Sequence, residues 1–155
     1  MNRIRCFFCA WASVLALAGC SQEIDYSRDD FGYQNYATAT DIGFYSKKTC
    51  KTNIDHVVSL KDAHQSGASL WSNDDKRAFA NDRTNHVAAC APVNSSKGDS
   101  TPADFLRKSR DGKGLDYEIR NLCEYVKLYK TIKVKYDLSL SQNSPELFKS
   151  CGLPY

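Results

Sequence analysis

The sequence lacks an apolar run long enough to cross a bilayer, an excess of charge of one sign, and any internal repeat. The longest apolar stretch, residues 7–18, is too short to span a membrane comfortably. A formal charge of +3 over 155 residues argues against a protein that coats nucleic acid through bulk charge. Of the seven cysteines, none of the last four (Cys50, Cys90, Cys123, Cys151) stands in CxxC spacing, and no HxxxH occurs. Both absences weigh against a zinc site, the competing use for those thiols. With 42% hydrophobic and 25% charged residues, the chain has the composition of an ordinary globular protein with room for one domain and one core. Stretches rich in Ser, Asn, Asp and Lys predict extensive loops.

The first nineteen residues stand apart. Residues 1–5 carry Arg3 and Arg5, and the apolar run after them has the shape of a signal peptide. It ends in Leu17-Ala18-Gly19-Cys20, which resembles the lipobox of bacterial lipoproteins. That resemblance implies cleavage before Cys20 and a diacylglycerol on its sulfur; cleavage without lipid is the alternative. Ser21 favours the outer over the inner membrane by the sorting pattern of such proteins. The expected location is therefore the cell envelope, anchored through an N-terminal lipid. Loss of residues 1–19 removes two basic residues and no acid, leaving nineteen cations against eighteen acids, a charge of +1. The charge is uneven: residues 107–135 are basic and residues 23–30 acidic. Cys6 and Cys9 depart with the peptide, and the four remaining thiols are an even number in an oxidising compartment. Three pairings are open. Cys50–Cys90 with Cys123–Cys151 is favoured, because the first joins two candidate strands and the second ties the C-terminus onto a helix.

Residues 20–35 are polar and spotted with aromatics, and read as a tether. Residues 53–60 (NIDHVVSL) are rich in β-branched side chains and predict a strand, followed by a loop. Ser72 and Asp75, at capping-box spacing, open a short helix through Ala80, and Asn81-Asp82 ends it. Residues 85–91 predict a second strand. Pro92 can begin a helix that Gly98 stops, and Thr101-Pro102-Ala103-Asp104 repeats the start signal up to a loop at residues 109–112. From Asp116 onward, Ile119, Leu122, Cys123, Val126, Tyr129 and Ile132 form one apolar helical stripe. Ser144-Pro145 opens a last short helix. The fold class is α+β: two strands with additional helices, including a long C-terminal one.

Three polar groups stand out on this pattern. Asp55-His56 places a carboxylate beside an imidazole within an apolar strand, and neighbours on a regular strand face opposite ways. The two can serve one site only where the strand bends or ends. Asn85 starts the next strand, and Asn94 precedes Ser95-Ser96-Lys97-Gly98-Asp99. Asp55-His56-Val57-Val58, Ser66-Gly67-Ala68-Ser69, Trp71, Phe79-Ala80-Asn81-Asp82, Asn85 and Asn94 to Asp99 follow in order at close spacing. This string resembles the secreted branch of the HNH endonucleases, the ββα-metal or His-Me finger class, over about a third of the chain.

The resemblance implies a small ββα-metal finger: a two-stranded antiparallel sheet plus a helix around one metal ion, its core at about residues 50–106 within a domain of residues 36–155. It implies a metal-dependent endonuclease that hydrolyses phosphodiesters. His56 is then the general base, Asp55 and Asn94 hold the metal, Asn85 positions the His56 ring or braces the loop, and Lys97 meets a phosphate. Two hard oxygen donors suit Mg²⁺, with Mn²⁺, Zn²⁺ and Ni²⁺ as other candidates. His64 and His86 are read as non-catalytic, although His86 would bring a second imidazole near the site. Trp71 and Phe79 are read as core. Lys127, Lys130, Lys133 and Lys135, with Tyr125, Tyr129 and Tyr136, form either a basic face that tracks a backbone or a solvated face with tyrosines packed inward. Little chain is left for a base-reading element, so low sequence specificity is expected. The expected substrate is DNA, with RNA as a second candidate, and the chain is expected to be a monomer. The rival readings are a lipoprotein that keeps the scaffold only for binding, and a hydrolase of another phosphodiester.

Overall fold

A computed structural model describes residues 25–105 and 119–155. The signal peptide, Cys20, the loop at residues 109–112 and the expected helix start at Asp116 lie outside the described residues. Strand β1 (Thr52–His56) pairs antiparallel with β2 (His86–Cys90) in a two-stranded sheet, with Thr52 opposite Cys90 and His56 opposite His86. Between them run α1 (Leu60–Gln65) and α2 (Asn73–Ala80). After β2 come α3 (Ala91–Lys97), α4 (Pro102–Phe105), α5 (Leu122–Lys135) and α6 (Pro145–Ser150). The α+β class and the ββα arrangement of β1, β2 and α3 are as expected. Among the described residues no helix is long and apolar enough to cross a membrane.

Local chemistry sets the boundaries. Ser72 caps α2 by accepting from the Asp75 N–H, and Ser144 caps α6 from the Glu146 N–H. Pro92 sits in the first turn of α3, and Gly98 ends it at φ 52°, a left-handed backbone that glycine adopts without a Cβ clash. Two boundaries differ from the sequence reading. β1 stops at His56, because the next backbone groups leave the ladder: Val57 N–H donates to the Asn85 carbonyl and Val58 N–H to Asn85 Oδ1. The loop expected next contains α1, which Ser59 caps through the Asp62 N–H.

The core joins the helices to the sheet through Val57, Val58, Leu60, Phe79, Ala89, Val93, Phe105, Tyr125, Val126, Tyr129 and Ile132. Phe79 is fully buried, and Trp71 is half-buried against it. Phe31 is also fully buried, so the stretch expected as a tether contributes a core residue from within residues 25–35. Disulfides join Cys50 to Cys90 and Cys123 to Cys151. The first closes the open end of the sheet, and the second ties α5 to the end of α6. Gly43 lies so close to the Cys90 sulfur that a Cβ there would collide with it.

The basic face read on α5 is largely committed elsewhere. Lys133 is fully buried against Asp62 at 2.6 Å and donates to Ser66 Oγ at 2.6 Å. Lys135 pairs with Asp82 at 2.6 Å, and Lys130 donates to the Pro154 carbonyl. Tyr125 and Tyr129 are fully buried. Of the two readings, the inward tyrosines describe this helix.

Candidate active site

The end of β1 resolves the problem that Asp55 and His56 pose as strand neighbours. His56 is the last residue of the strand, and both residues line one cleft of about 370 Å³. Ile54, Asp55 and His56 of β1, Ser59 and Lys61 at the start of α1, and Asn94, Gly98 and Asp99 of α3 and its exit form much of its wall.

His56 is held from behind. Its Nε2 lies 2.8 Å from the Ala80 carbonyl, which protrudes from the last turn of α2. A carbonyl only accepts, so this bond fixes the neutral tautomer with the proton on Nε2 and leaves the Nδ1 lone pair available. Burial lowers the His56 pKa to about 3, against the opposing pull of the carbonyl. The ring is therefore neutral at ordinary pH.

His86, opposite His56 in the register, places its Nε2 3.1 Å from His56 Nε2 and 3.0 Å from the same carbonyl. Its Nδ1 is 3.0 Å from the Tyr36 hydroxyl. The consistent arrangement has Tyr36 O–H donating to His86 Nδ1, and both Nε2–H groups donating to the two lone pairs of Ala80 O. Burial lowers the His86 pKa as well. The two rings meet edge to face at 4.5 Å, and Tyr33 closes the other side of His56 at 4.6 Å.

Asp55 is nearly buried, and each of its oxygens has a donor. Tyr45 O–H donates to Oδ2 at 2.5 Å, and Lys97 Nζ donates to Oδ1 at 3.1 Å. Burial raises the Asp55 pKa, with the Lys97 ammonium and the hydrogen bonds working against that rise. Lys97 is fully buried and also donates to the His56 carbonyl at 2.8 Å. Its ammonium thus lies behind the Asp55 carboxylate rather than on the cleft wall, where a lysine read from sequence as a phosphate contact would stand.

Asn94 points its amide nitrogen toward β1, donating to Asn53 Oδ1 at 2.9 Å and the Ile54 carbonyl at 3.2 Å. Its Oδ1 accepts from no described residue and is the free oxygen on that side of the cleft. Asn85 is fully buried, and its side-chain hydrogen bonds go to the Val58 backbone rather than to the His56 ring. It clamps the exit of β1, accepting from Val58 N–H at 2.9 Å and donating to the Val58 carbonyl at 3.0 Å. Of the five residues that sequence reasoning singled out, Asp55, His56 and Asn94 share the cleft, while Lys97 and Asn85 support it from inside.

Sequence reasoning missed Tyr45, the Ala80 carbonyl, the direct His56–His86 contact, and Tyr26 and Arg28 on the cleft wall. Only His86 carried a local signal, being a histidine on the second strand.

Among the described residues no three His, Cys, Asp or Glu side chains gather into a metal cage. One carboxylate and one amide oxygen on a single cleft suit a divalent cation that completes its shell with water and substrate oxygens.

Two strands, a following helix and a strand-end Asp-His beside an Asn of that helix define the HNH class of nuclease domains. Residues 18–148 match the family described as GmrSD restriction endonucleases, C-terminal domain, and the chain belongs to that family. A protein of Arthroderma benhamiae named "Uncharacterized secreted protein" is 33% identical over 91 residues, which cover 57% of this chain and 40% of that protein. This chain thus spans well under half the length of that relative. No solved structure matches.

Proposed function

We propose that this chain is an exported, metal-dependent endonuclease that hydrolyses nucleic-acid phosphodiesters with low sequence specificity. The observation that carries the proposal is the neutral His56, anchored through Nε2 to Ala80 O, on one cleft with Asp55 and the free Oδ1 of Asn94. In this reading His56 Nδ1 takes a proton from a water whose oxygen attacks phosphorus as the P–O bond to the leaving oxygen breaks. Asp55 and Asn94 hold one divalent cation, which supplies neutralisation of the phosphate and of the leaving oxygen. Mg²⁺ suits that donor pair, with Mn²⁺ as a close alternative. Lys97 and Tyr45 orient the Asp55 carboxylate, and Asn85 fixes the turn at which the strand delivers His56. DNA is the expected substrate and RNA the second candidate.

Export is supported by two disulfides, by the name of the secreted relative, and by the signal-peptide shape of the first residues. A lipid on Cys20 would fix the enzyme to the cell envelope, as a monomer.

A second reading, a scaffold that binds without cutting, draws on the engagement of both Asp55 oxygens by Tyr45 and Lys97. Plasmid digestion by the purified protein with Mg²⁺ or Mn²⁺, with EDTA, and with His56→Ala separates the two. Metal-dependent nicking that disappears in His56→Ala is the expected result. Metal-independent binding with no product of either DNA or RNA would favour the scaffold.

A further inference from the structure

The cleft has a wall that comes from before the ββα core: Tyr26 and Arg28 line it beside Asp55, His56 and Asn94. The segment that carries them is pinned to the domain. Phe31 is fully buried, and Asn81 Nδ2 donates to the Gly32 carbonyl at 3.2 Å. Gln34 N–H donates to Asn81 Oδ1 at 2.9 Å, and Asp30 stands 3.6 Å from the buried Lys76.

The charges at the cleft do not cancel. Its two carboxylates, Asp55 and Asp99, are each matched by a lysine: Lys97 at 3.1 Å and Lys61 at 2.7 Å. Arg28 is a third cation, and no carboxylate among the described residues pairs with it. Its guanidinium lies 5.8 Å from the centre of the Tyr33 ring, and that ring stands edge-on to His56. Part of that fork bonds the Tyr26 side chain on the same wall, and the cation, exposed and with no carboxylate partner among the described residues, lines the cleft that holds the base.

We propose that Arg28 is a phosphate-binding residue of this site. Its guanidinium donates to the non-bridging oxygens of the phosphodiester undergoing attack, so that the backbone of the nucleic acid enters beneath the N-terminal segment. The planar fork matches two phosphate oxygens, and it meets charge that grows as phosphorus gains its fifth oxygen. Arg28 stays protonated throughout and exchanges no proton. The proposal rests on the nuclease reading of the cleft and gives that reading its substrate-facing cation, a place that the buried Lys97 cannot take.

Arg83 supplies the control. It too is exposed and lies over a tyrosine, 4.6 Å from the Tyr36 ring, yet it does not line the cleft. Steady-state cleavage of a DNA duplex would be measured for wild type, Arg28→Ala, Arg28→Lys and Arg83→Ala. Binding of the same duplex would be followed by fluorescence anisotropy in a His56→Ala background at several salt concentrations. Arg28→Ala is expected to lower kcat/KM by about 10- to 100-fold, as loss of a charge-assisted bond to a transition state does. Arg28→Lys should recover part of that, and Arg83→Ala should stay within about twofold, the scale of a lost surface charge outside the cleft. In the binding arm, Arg28→Ala should reduce the salt slope by about one phosphate contact. Unchanged kcat/KM and salt slope in Arg28→Ala would overturn the assignment, as would an equal loss in Arg83→Ala. If the wild type binds duplex but never cuts, the nuclease reading fails, and the salt slope still decides whether Arg28 holds a phosphate.

Discussion

Asp55–Lys97 and Asp62–Lys133 are built from the same parts and sit in different surroundings. In each, one carboxylate oxygen accepts from a lysine ammonium and the other from a tyrosine hydroxyl: Lys97 and Tyr45 for Asp55, Lys133 and Tyr129 for Asp62. All four charged side chains are buried. At Asp62 the remaining partners close the set, since Lys133 also donates to Ser66 Oγ and Tyr129 O–H accepts from Asn143 Nδ2. This network fastens α1 to α5, and neither Asp62 nor Lys133 lines the cleft. At Asp55 the carboxylate lines a cleft with a neutral imidazole on one side and a free amide oxygen on the other. A buried ion pair alone therefore does not mark a site. What lies beside its exposed edge does.

Removing one charge from the closed pair should have the largest effect. Asp62→Asn leaves the Lys133 ammonium buried without its counter-charge, and a loss of about 3–5 kcal/mol is expected from such a break. Thermal melting should show it as a fall of roughly 10 °C or more, with cleavage per folded molecule preserved. A melting point within a degree of wild type would mean that the network does not hold α1 to α5.

The disulfides divide along the same line. Each closes a loop, of 40 residues for Cys50–Cys90 and 28 for Cys123–Cys151. Loop-closure entropy gives about 3–4 kcal/mol for either. Replacing both cysteines of one bridge with serine should lower the melting temperature by a similar amount in the two cases. Only loss of Cys50–Cys90 is expected also to slow cleavage per folded molecule, because Cys90 leads directly into the helix that carries Asn94. Equal activity in the two double variants would count against that link.

The smallest effect belongs to Asp82. Burial opposes its charge, but bonds from Lys135, Thr84 and Tyr136 outweigh burial and hold the carboxyl below the ordinary range. A depressed carboxylate pKa contributes stability that is present above the unfolded value and is lost as pH falls through the folded one. The stability gap between wild type and Asp82→Asn should therefore be full at pH 6 and shrink below about pH 4. Its size is about 1 kcal/mol, because water screens the exposed Lys135 end of the pair, although the Asp82 side chain itself is only 14% exposed. Chemical denaturation at the two pH values would reveal a gap that grows on acidification if the sign were wrong.

Much of this was legible in the sequence. The β-branched run, the Ser72 cap, Pro92 with Gly98, and the apolar stripe of α5 are local signals, and local chemistry honoured them. Ser59 and Asp62 carried the same cap spacing as Ser72 and Asp75, yet α1 was obscured by the apolar run Val57-Val58, which read as more strand. That strand ends early because Asn85, twenty-seven residues away, takes its next backbone groups, and no local pattern reports so distant a partner. Lys97 illustrates the same limit at the site. A lysine in a polar stretch reads as solvent-facing, and only the fold brings it to Asp55. Arg28 and Phe31 were hidden by a polar, aromatic-spotted segment whose order depends on α2.

The decisive experiment is the plasmid nicking rate, per folded molecule and with Mg²⁺, of Asp55→Asn beside Asp62→Asn. Asp55→Asn is expected to fall by about a thousandfold, the scale of losing a group that would hold a catalytic cation, while Asp62→Asn keeps its rate. Cleavage that survives in Asp55→Asn, or disappears equally in both, would contradict that expectation.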